Sequence, residues 1–452
     1  MAKDYGGVIN ELVSGEWVEP GTGKQYSIPP NNIVIKSDLD GGEAELINAQ
    51  HPEGSIVVVA DPYTYEVLGR RVVDVLKSEG RVVKAFVWQH PKCSEEGVKE
   101  VQENTKGYDN IIAVGSGTIN DSVKYASFLD GRNYSVFATS PMNAYSTNTA
   151  SVYFSGYKKS IACHGAKGIF YDLSVISNCP ARLISASFAD VICRTTAQVD
   201  WLMSHMLFDT KYSETPYTLL AYDENNMIVQ ADKLLKGDID SLGMLTRVSA
   251  IMGLGTSFTE TTHSGSMAEH MMSHYIDMFS GENHPGTSHG EQVGVTTVTM
   301  SRLQNQILNS NSPPIIHAST IPEKELYAHF DKGIAANMIS ETKKKALSEE
   351  MAEKLNYRLA NEWPMFSGKL KEVMLPFDTL YNAMKKAGCQ TSASELGVSD
   401  AFYADDILFS RHLRDRFTML DIAADSHQLA SFSSNYHKDI NALNRSLNSK
   451  KP

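Results

Sequence analysis

Two domains of different class are predicted by this sequence: an α/β domain built on a parallel sheet over residues 1–179, then an all-helical domain over residues 180–452. Three observations predict them. Short, continuously apolar runs rich in valine and isoleucine alternate with helical patterns through the first part of the chain, as in strands joined by crossover helices. Near Asn178 to Pro180 those runs stop, and long helical patterns follow to the end. A chain of 452 residues is also longer than one hydrophobic core comfortably serves.

The first run, Ser55-Ile-Val-Val-Val-Ala60, ends at Asp61. A helix is expected from Tyr65 to about Ser78, stopped by Gly80. Arg81 to Trp88, Asn110 to Val114 and Ser135 to Thr139 repeat the strand theme. Two β-like runs flank Gly156 and predict a hairpin between Ser151 and Cys163, and Gly168 to Asp172 is one more strand. Beyond Pro180, residues 181–206 and 232–255 read as long helices. The lysine-rich stretch from Thr342 to Glu350 reads as a solvated helix face with i,i+4 charge pairs. The Ser/Asn/Lys-rich end after His437 reads as a loosely held tail.

In an open sheet of this kind ligands bind at the carboxyl ends of the strands. Gly115, Ser116, Gly117, Thr118 and Ile119 follow one strand and open a helix, where glycines let backbone N–H groups approach a phosphate. The same residues are also what a tight strand-to-helix turn needs. Asp61 has two readings as well. It bonds the ribose hydroxyls of a dinucleotide, which favours NAD over NADP, or it begins a turn with Pro62.

Composition excludes several classes. No apolar run approaches the roughly 18 residues of a membrane helix. A formal charge of −12 disfavours a nucleic-acid surface. Five cysteines form no CxxC, and the start has no apolar core of a secretion signal, so reduced thiols and a cytoplasmic protein are expected.

Five of the 14 histidines, His263, His270, His274, His284 and His289, fall in one stretch ending at Gly290. Ser266 to Glu269 fits a capping box, which predicts a helix start there. His270 and His274 then share one helix face, and His289 follows a Gly/Pro/Ser/Thr-rich turn. Taken singly, each histidine reads as a hydrogen-bonded core or surface residue; taken together they suit a divalent metal. Asp190, among Phe188, Val191 and Ile192, is either an i,i+4 partner of Arg194 or a third ligand. Asp190, His270 and His289 with open positions for substrate make a catalytic arrangement that accepts zinc, nickel or iron.

The motifs VVADPYTYEVLG, GSGTINDSVKYAS, FADVICRTTAQVDW, EHMMSHYIDM and HGEQVGV occur in the order and at the separations of the bacterial type of sn-glycerol-1-phosphate dehydrogenase, and RFTMLDIAADSHQL is similar to that family too. Over roughly residues 50–430 the chain therefore resembles a member of the dehydroquinate synthase-like and iron-containing alcohol dehydrogenase superfamily. The resemblance implies a Rossmann-like nucleotide domain, an all-helical metal-binding domain and an active site in the cleft between them. It implies that Asp190, His270 and His289 hold the metal, that Asp190 and His274 meet substrate, and that the Gly115 to Ile119 loop lines the pyrophosphate with Asp61 on the adenosine side. Thr139 and Ser140 join the cofactor site. Asp121 and Lys124 are expected near the nicotinamide end, with Asp121 and His274 as catalytic groups. A homodimer is implied as well.

One departure stands out. Where the family reads S-x-D-G-x-x-S, this chain has Ser140-Pro-Met-Asn143-Ala144-Tyr-Ser-Thr147. Asn143 replaces a substrate-contacting aspartate, and Thr147 keeps the hydroxyl of a cofactor-contacting serine. The expected function is hydride transfer between NAD(H), with NADP(H) also accommodated, and dihydroxyacetone phosphate or a similar phosphorylated ketone or polyol. Alternatives are a glycerol or diol dehydrogenase of the same superfamily and a non-catalytic nucleotide-binding sensor. Lys158, Lys159 and Lys167 are cations near the hairpin, yet no clear trio for a phosphate emerges.

Overall fold

Six strands make one all-parallel sheet in the order β1-β8-β5-β4-β2-β3. They are β1 (Asn32–Lys36), β2 (Ile56–Ala60), β3 (Val83–Val87), β4 (Asn110–Gly115), β5 (Tyr134–Ala138) and β8 (Gly168–Asp172). The structure, a computed structural model, describes residues 2–436 apart from 27, 29–31 and 156, together with 438. Every residue of β2, β5 and β8 is buried, as a parallel sheet covered on both faces requires. Strand β1 escapes the sequence reading because its burial alternates, so Asn32-Ile-Val-Ile-Lys36 lacks the continuous apolar run of its neighbours. It nevertheless pairs with β8 along its whole length, from Asn32 opposite Gly168 to Lys36 opposite Asp172.

The hairpin forms as expected: β6 (Thr149–Phe154) and β7 (Tyr157–Ala162) are antiparallel, with Phe154 opposite Tyr157. Gly156 and the tail after His437, Lys438 apart, lie outside the described residues. All eight described strands precede Pro180, and the described elements after it are helical. None of the described helices is long and apolar enough to cross a membrane.

Three helix expectations need correction. The stretch 181–206 divides at Cys193 into Ala181–Ile192 and Arg194–Phe208. The stretch 232–255 divides at Gly237, whose φ of 72° ends a 3-10 turn, and Asp238 then caps the Ile239–Thr259 helix by accepting the Ser241 N–H at 2.8 Å. The lysine-rich stretch is two helix ends, not one solvated face. The Lys332–Lys345 helix stops, and Ser348 caps a new one, Glu349–Val373. Lys345 is buried against Asp421, because its ammonium finds acceptors inside.

By packing, the chain forms two units. One comprises Met1–Val191, Ser213–Thr262 and Lys386–Gly388; the other comprises Ile192–Tyr212, His263–Lys385 and Cys389–Pro452. In the first, the Ile239–Thr259 helix passes the turn that follows β5. A Cβ on Gly253 would lie 2.1 Å from Ser146 Oγ and 2.3 Å from the Asn143 carbonyl, so this approach admits only glycine. In the second, the Ala268–Phe279 and His289–Leu308 helices pack together. Tyr275 of the former joins Leu326, Met338, Phe409 and Leu413 in one apolar cluster.

Candidate active site

In the first unit the glycine loop stands where the sequence places it. Gly115 ends β4, Ser116 is the N-cap of the Gly117–Leu129 helix without a side-chain capping bond, and Thr118 is exposed. The leading N–H groups of a helix have no intrahelical partner, so Gly117, Thr118 and Ile119 present donors for an anion. Gly115 is fixed by sterics, since a Cβ there would meet Ile119 Cγ1 at 2.9 Å. A Cβ on Gly117 meets nothing nearer than 3.7 Å, so its small size is not needed for packing. Asp61 sits at the carboxyl end of β2 and closes a capping box, accepting the Thr64 N–H at 2.8 Å. Thr64 in turn donates to the Val114 carbonyl at 3.0 Å, which ties the Asp61 turn to the glycine loop.

Other expected cofactor residues serve the fold at this point. Lys124 is fully buried and donates to the Ala144 carbonyl at 2.8 Å, Thr147 Oγ1 at 2.9 Å and the Thr149 carbonyl at 2.9 Å. Three internal acceptors hold its ammonium within the protein. Thr147 uses its hydroxyl in the same network. Asp121 accepts the Ser151 N–H at 2.9 Å and Asn120 Nδ2 at 3.0 Å, and so anchors β6. Thr139 and Ser140 are buried. Ser140 Oγ lies 3.0 Å from the Tyr145 hydroxyl, which donates to the Gly115 carbonyl at 2.8 Å. Together these bonds shape the turn carrying Asn143. The Asn143 amide donates to Asp190 Oδ2 at 3.0 Å, so an aspartate at 143 would set two carboxylates against each other.

In the second unit the histidines converge. The His270 and His289 rings are 5.0 Å apart, and those of His274 and His289 are 5.6 Å apart. Hydrogen bonds set the tautomers. Glu269 is fully buried, and its Oε1 accepts both the Met267 N–H at 2.7 Å and His270 Nδ1–H at 3.0 Å. For His289 the argument runs through three side chains. Gln292 donates from Nε2 to Asp277 at 2.8 Å, so its Oε1 is the acceptor turned to Ser273 at 2.9 Å. With its proton so placed, Ser273 Oγ accepts His289 Nδ1–H at 3.0 Å. His270 and His289 therefore both carry the proton on Nδ1 and keep Nε2 basic, the state a metal takes. His274 differs. Arg414, which can only donate, meets its Nε2 at 3.1 Å.

The capping box expected at Ser266 does not form. The helix begins at Ala268 with Met267 as N-cap, and Ser266 accepts Arg416 on both its carbonyl and its hydroxyl. Glu269 still accepts the N–H of the N-cap residue, Met267, and it orients His270 as well. Ser273, Asp277, Gln292 and Arg414 were not anticipated. Ser273 and Asp277 lie inside the EHMMSHYIDM motif and Gln292 inside HGEQVGV, which is their sequence signal, whereas Arg414 lies two residues before the RFTMLDIAADSHQL motif.

Residues 34–180 match the family described as iron-containing alcohol dehydrogenase. A glycerol-1-phosphate dehydrogenase [NAD(P)+] of Geobacillus thermodenitrificans is 25% identical over 409 residues, covering 87% of this chain and 92% of that protein. Over residues 34–180 the chain is similar to the iron-containing alcohol dehydrogenases. One from Methanothermobacter thermautotrophicus, with the same name as the Geobacillus protein, is 28% identical over 252 residues, 56% of this chain and 71% of its own length. Among solved structures, a probable glycerol dehydrogenase from Sinorhizobium meliloti superposes with a TM-score of 0.60 at 14% identity, covering 90% of this chain and 98% of that one. A sulfoacetaldehyde reductase from Bifidobacterium kashiwanohense, solved in complex with NAD+, gives 0.58 at 15% identity, covering 90% and 96%. At these identities the likeness is one of fold, a parallel-sheet domain followed by helices.

Proposed function

We propose that this chain is a metal-dependent, NAD(P)-linked dehydrogenase that interconverts dihydroxyacetone phosphate and sn-glycerol 1-phosphate, or a close polyol phosphate. The observation that carries the reading is the His270 and His289 pair, 5.0 Å apart, each with Nδ1 engaged by an internal acceptor. The relatives named as glycerol-1-phosphate dehydrogenases support the substrate class.

In this proposal Asp190 joins the two histidines in holding one divalent ion: zinc, nickel or iron. When bound, such an ion supplies the Lewis acidity that polarises a ketone for hydride attack. The chain's own groups do the rest. The Asn143 amide holds the Asp190 carboxylate in one orientation, and Glu269 and Ser273 keep the two histidines in the metal-binding tautomer. His274 orients a substrate hydroxyl or relays the proton that the product alcohol requires. The loop from Gly115 to Ile119 takes the coenzyme pyrophosphate and Asp61 the ribose hydroxyls, which favours NADH over NADPH. A homodimer belongs to the same proposal and is tested by sedimentation.

The decisive assay is NADH oxidation by protein reconstituted separately with zinc, nickel and iron, given dihydroxyacetone phosphate or dihydroxyacetone. Turnover with the phosphate ester is expected. Turnover with the free ketone alone moves the assignment to a glycerol-type dehydrogenase, and silence with both in protein that binds metal and NADH removes the dehydrogenase reading.

A further inference from the structure

Two arginines of the second unit have no task in the reading above. Arg414 and Arg416 lie on the non-helical link between the Ser410–Leu413 turn and the Met419–Asp425 helix. The link is firmly built. Lys345 donates to the Arg411 and Arg416 carbonyls, each at 2.8 Å, and to Asp421 at 2.9 Å, so one buried ammonium closes both ends of it. Asp421 also accepts Arg411 at 2.9 Å and the Thr418 N–H at 2.8 Å.

From this frame the two guanidiniums reach the segment leading into the histidine helix. Arg416 donates to the Ser266 carbonyl and hydroxyl, and Arg414 donates to His274 Nε2 at 3.1 Å. Their charges are felt by each other and by the histidines. Burial and the Arg414 charge press the Arg416 guanidinium down to about 9 against the opposing pull of Glu269 and Asp415. Burial, then Arg416 and Arg414, press His263 down to about 3. Convergent cations beside a histidine cluster are what an incoming dianion stabilises, and the planar fork of arginine matches phosphate oxygens.

We propose that Arg414 and Arg416 bind the phosphate ester of the substrate, with His274 spanning the interval between that anion and the metal-binding histidines. The proposal deepens the phosphorylated-ketone reading and rests on it. The His274 ring lies 5.6 Å from that of His289 and touches Arg414 through Nε2, so the interval is about one imidazole, which suits a phosphate ester one carbon from the reacting carbonyl. Lys158 and Lys159 belong to the first unit and lie over the rings of Tyr153 and Tyr157.

The test uses metal-loaded full-length protein, wild type and the variants Arg414→Gln and Arg416→Gln. Inorganic phosphate and glycerol 1-phosphate are titrated by calorimetry, and KM and kcat are measured for dihydroxyacetone phosphate and dihydroxyacetone with NADH and with NADPH. Wild type is expected to bind both phosphates. Each variant is expected to weaken them about 30-fold, as for a lost charged hydrogen-bond pair. The KM for the phosphorylated ketone should rise in step; in Arg416→Gln those for dihydroxyacetone and both coenzymes should stay as in wild type, whereas Arg414→Gln, which also loses its bond to His274, should raise the phosphorylated ketone's KM more than that of dihydroxyacetone.

Absence of phosphate binding by wild type overturns the proposal and needs no variant to fold. So does an equal rise in KM for both ketones, or a rise confined to NADPH, which would assign the arginines to the coenzyme phosphate. Arginine-dependent phosphate binding without turnover of either ketone would leave the site standing and remove the dehydrogenase reading beneath it.

Discussion

The candidate groups of the two units are built on opposite plans. In the first unit the ligand-facing groups are backbone N–H donors at a helix start, and the polar side chains around them, Lys124, Asp121, Ser140 and Tyr145, are turned inward to hold the turns. In the second unit the ligand-facing groups are side chains, and each is aimed by another: His270 by Glu269, His289 by Ser273 and Gln292, His274 by Arg414. A backbone site needs room and a particular turn, so small residues decide it. A side-chain site needs partners, so its failure modes lie one residue away from the chemistry.

The largest effect should come from the aimed rings. His289→Ala or His270→Ala is expected to lower kcat/KM by roughly 10³-fold or more and to abolish stoichiometric metal uptake, read by elemental analysis, because several kcal/mol of carbonyl polarisation go with the ion. If either variant retains one metal per chain, the side-chain plan is wrong.

Next comes Glu269→Gln, which keeps shape while changing the acceptor of His270. A loss of about 10–100-fold in metal affinity is expected in a competition titration, with NADH binding unchanged.

The backbone half makes a matched pair. Gly115→Ala should cost roughly 1–3 kcal/mol of stability, because its Cβ meets Ile119 at 2.9 Å. Gly117→Ala has room at 3.7 Å and should keep the melting temperature while raising the KM for NADH. Equal stability of the two, or an unchanged KM in the second, would show that the loop is structural only.

The smallest effect concerns pH. His51 bridges Asn110 and Ser135 at 2.9 and 2.8 Å in the first unit, and burial presses its imidazole down to about 4. An unfolded histidine titrates near 6.5, so below that pH the unfolded chain binds the extra proton. Stability is complete above about 6.5 and falls by roughly 1–2 kcal/mol as the pH drops to about 5. In His51→Gln the slope of melting temperature against pH over that range should flatten; an unchanged slope would place the proton elsewhere.

Much of this was legible in the sequence where one physical cause acted locally. Continuous valine and isoleucine runs marked β2 and β4 because burial on both faces leaves no polar position. β1 stayed hidden because its outer positions alternate. The glycine loop and the His270/His274 spacing were readable for the same local reason. What could not be read were the partners. His289 depends on Ser273, and His274 on Arg414, across separations that only the fold closes. Glu269 accepts the N–H of the N-cap Met267, as a cap does, and its second task of orienting His270 is not legible because both tasks use the same residue type. Lys345 was mistaken for a solvated lysine because nothing in a lysine run says which one finds the Arg411 and Arg416 carbonyls.

The order in which the chain visits its two units carries a consequence for synthesis. It leaves the first unit after Val191, returns for Ser213–Thr262, and returns again for Lys386–Gly388. No single cut therefore yields either unit whole, and the first unit draws its last segment, Lys386–Gly388, from late in the chain. Interleaved units of this kind leave apolar surface exposed for longer during synthesis than units completed one after the other.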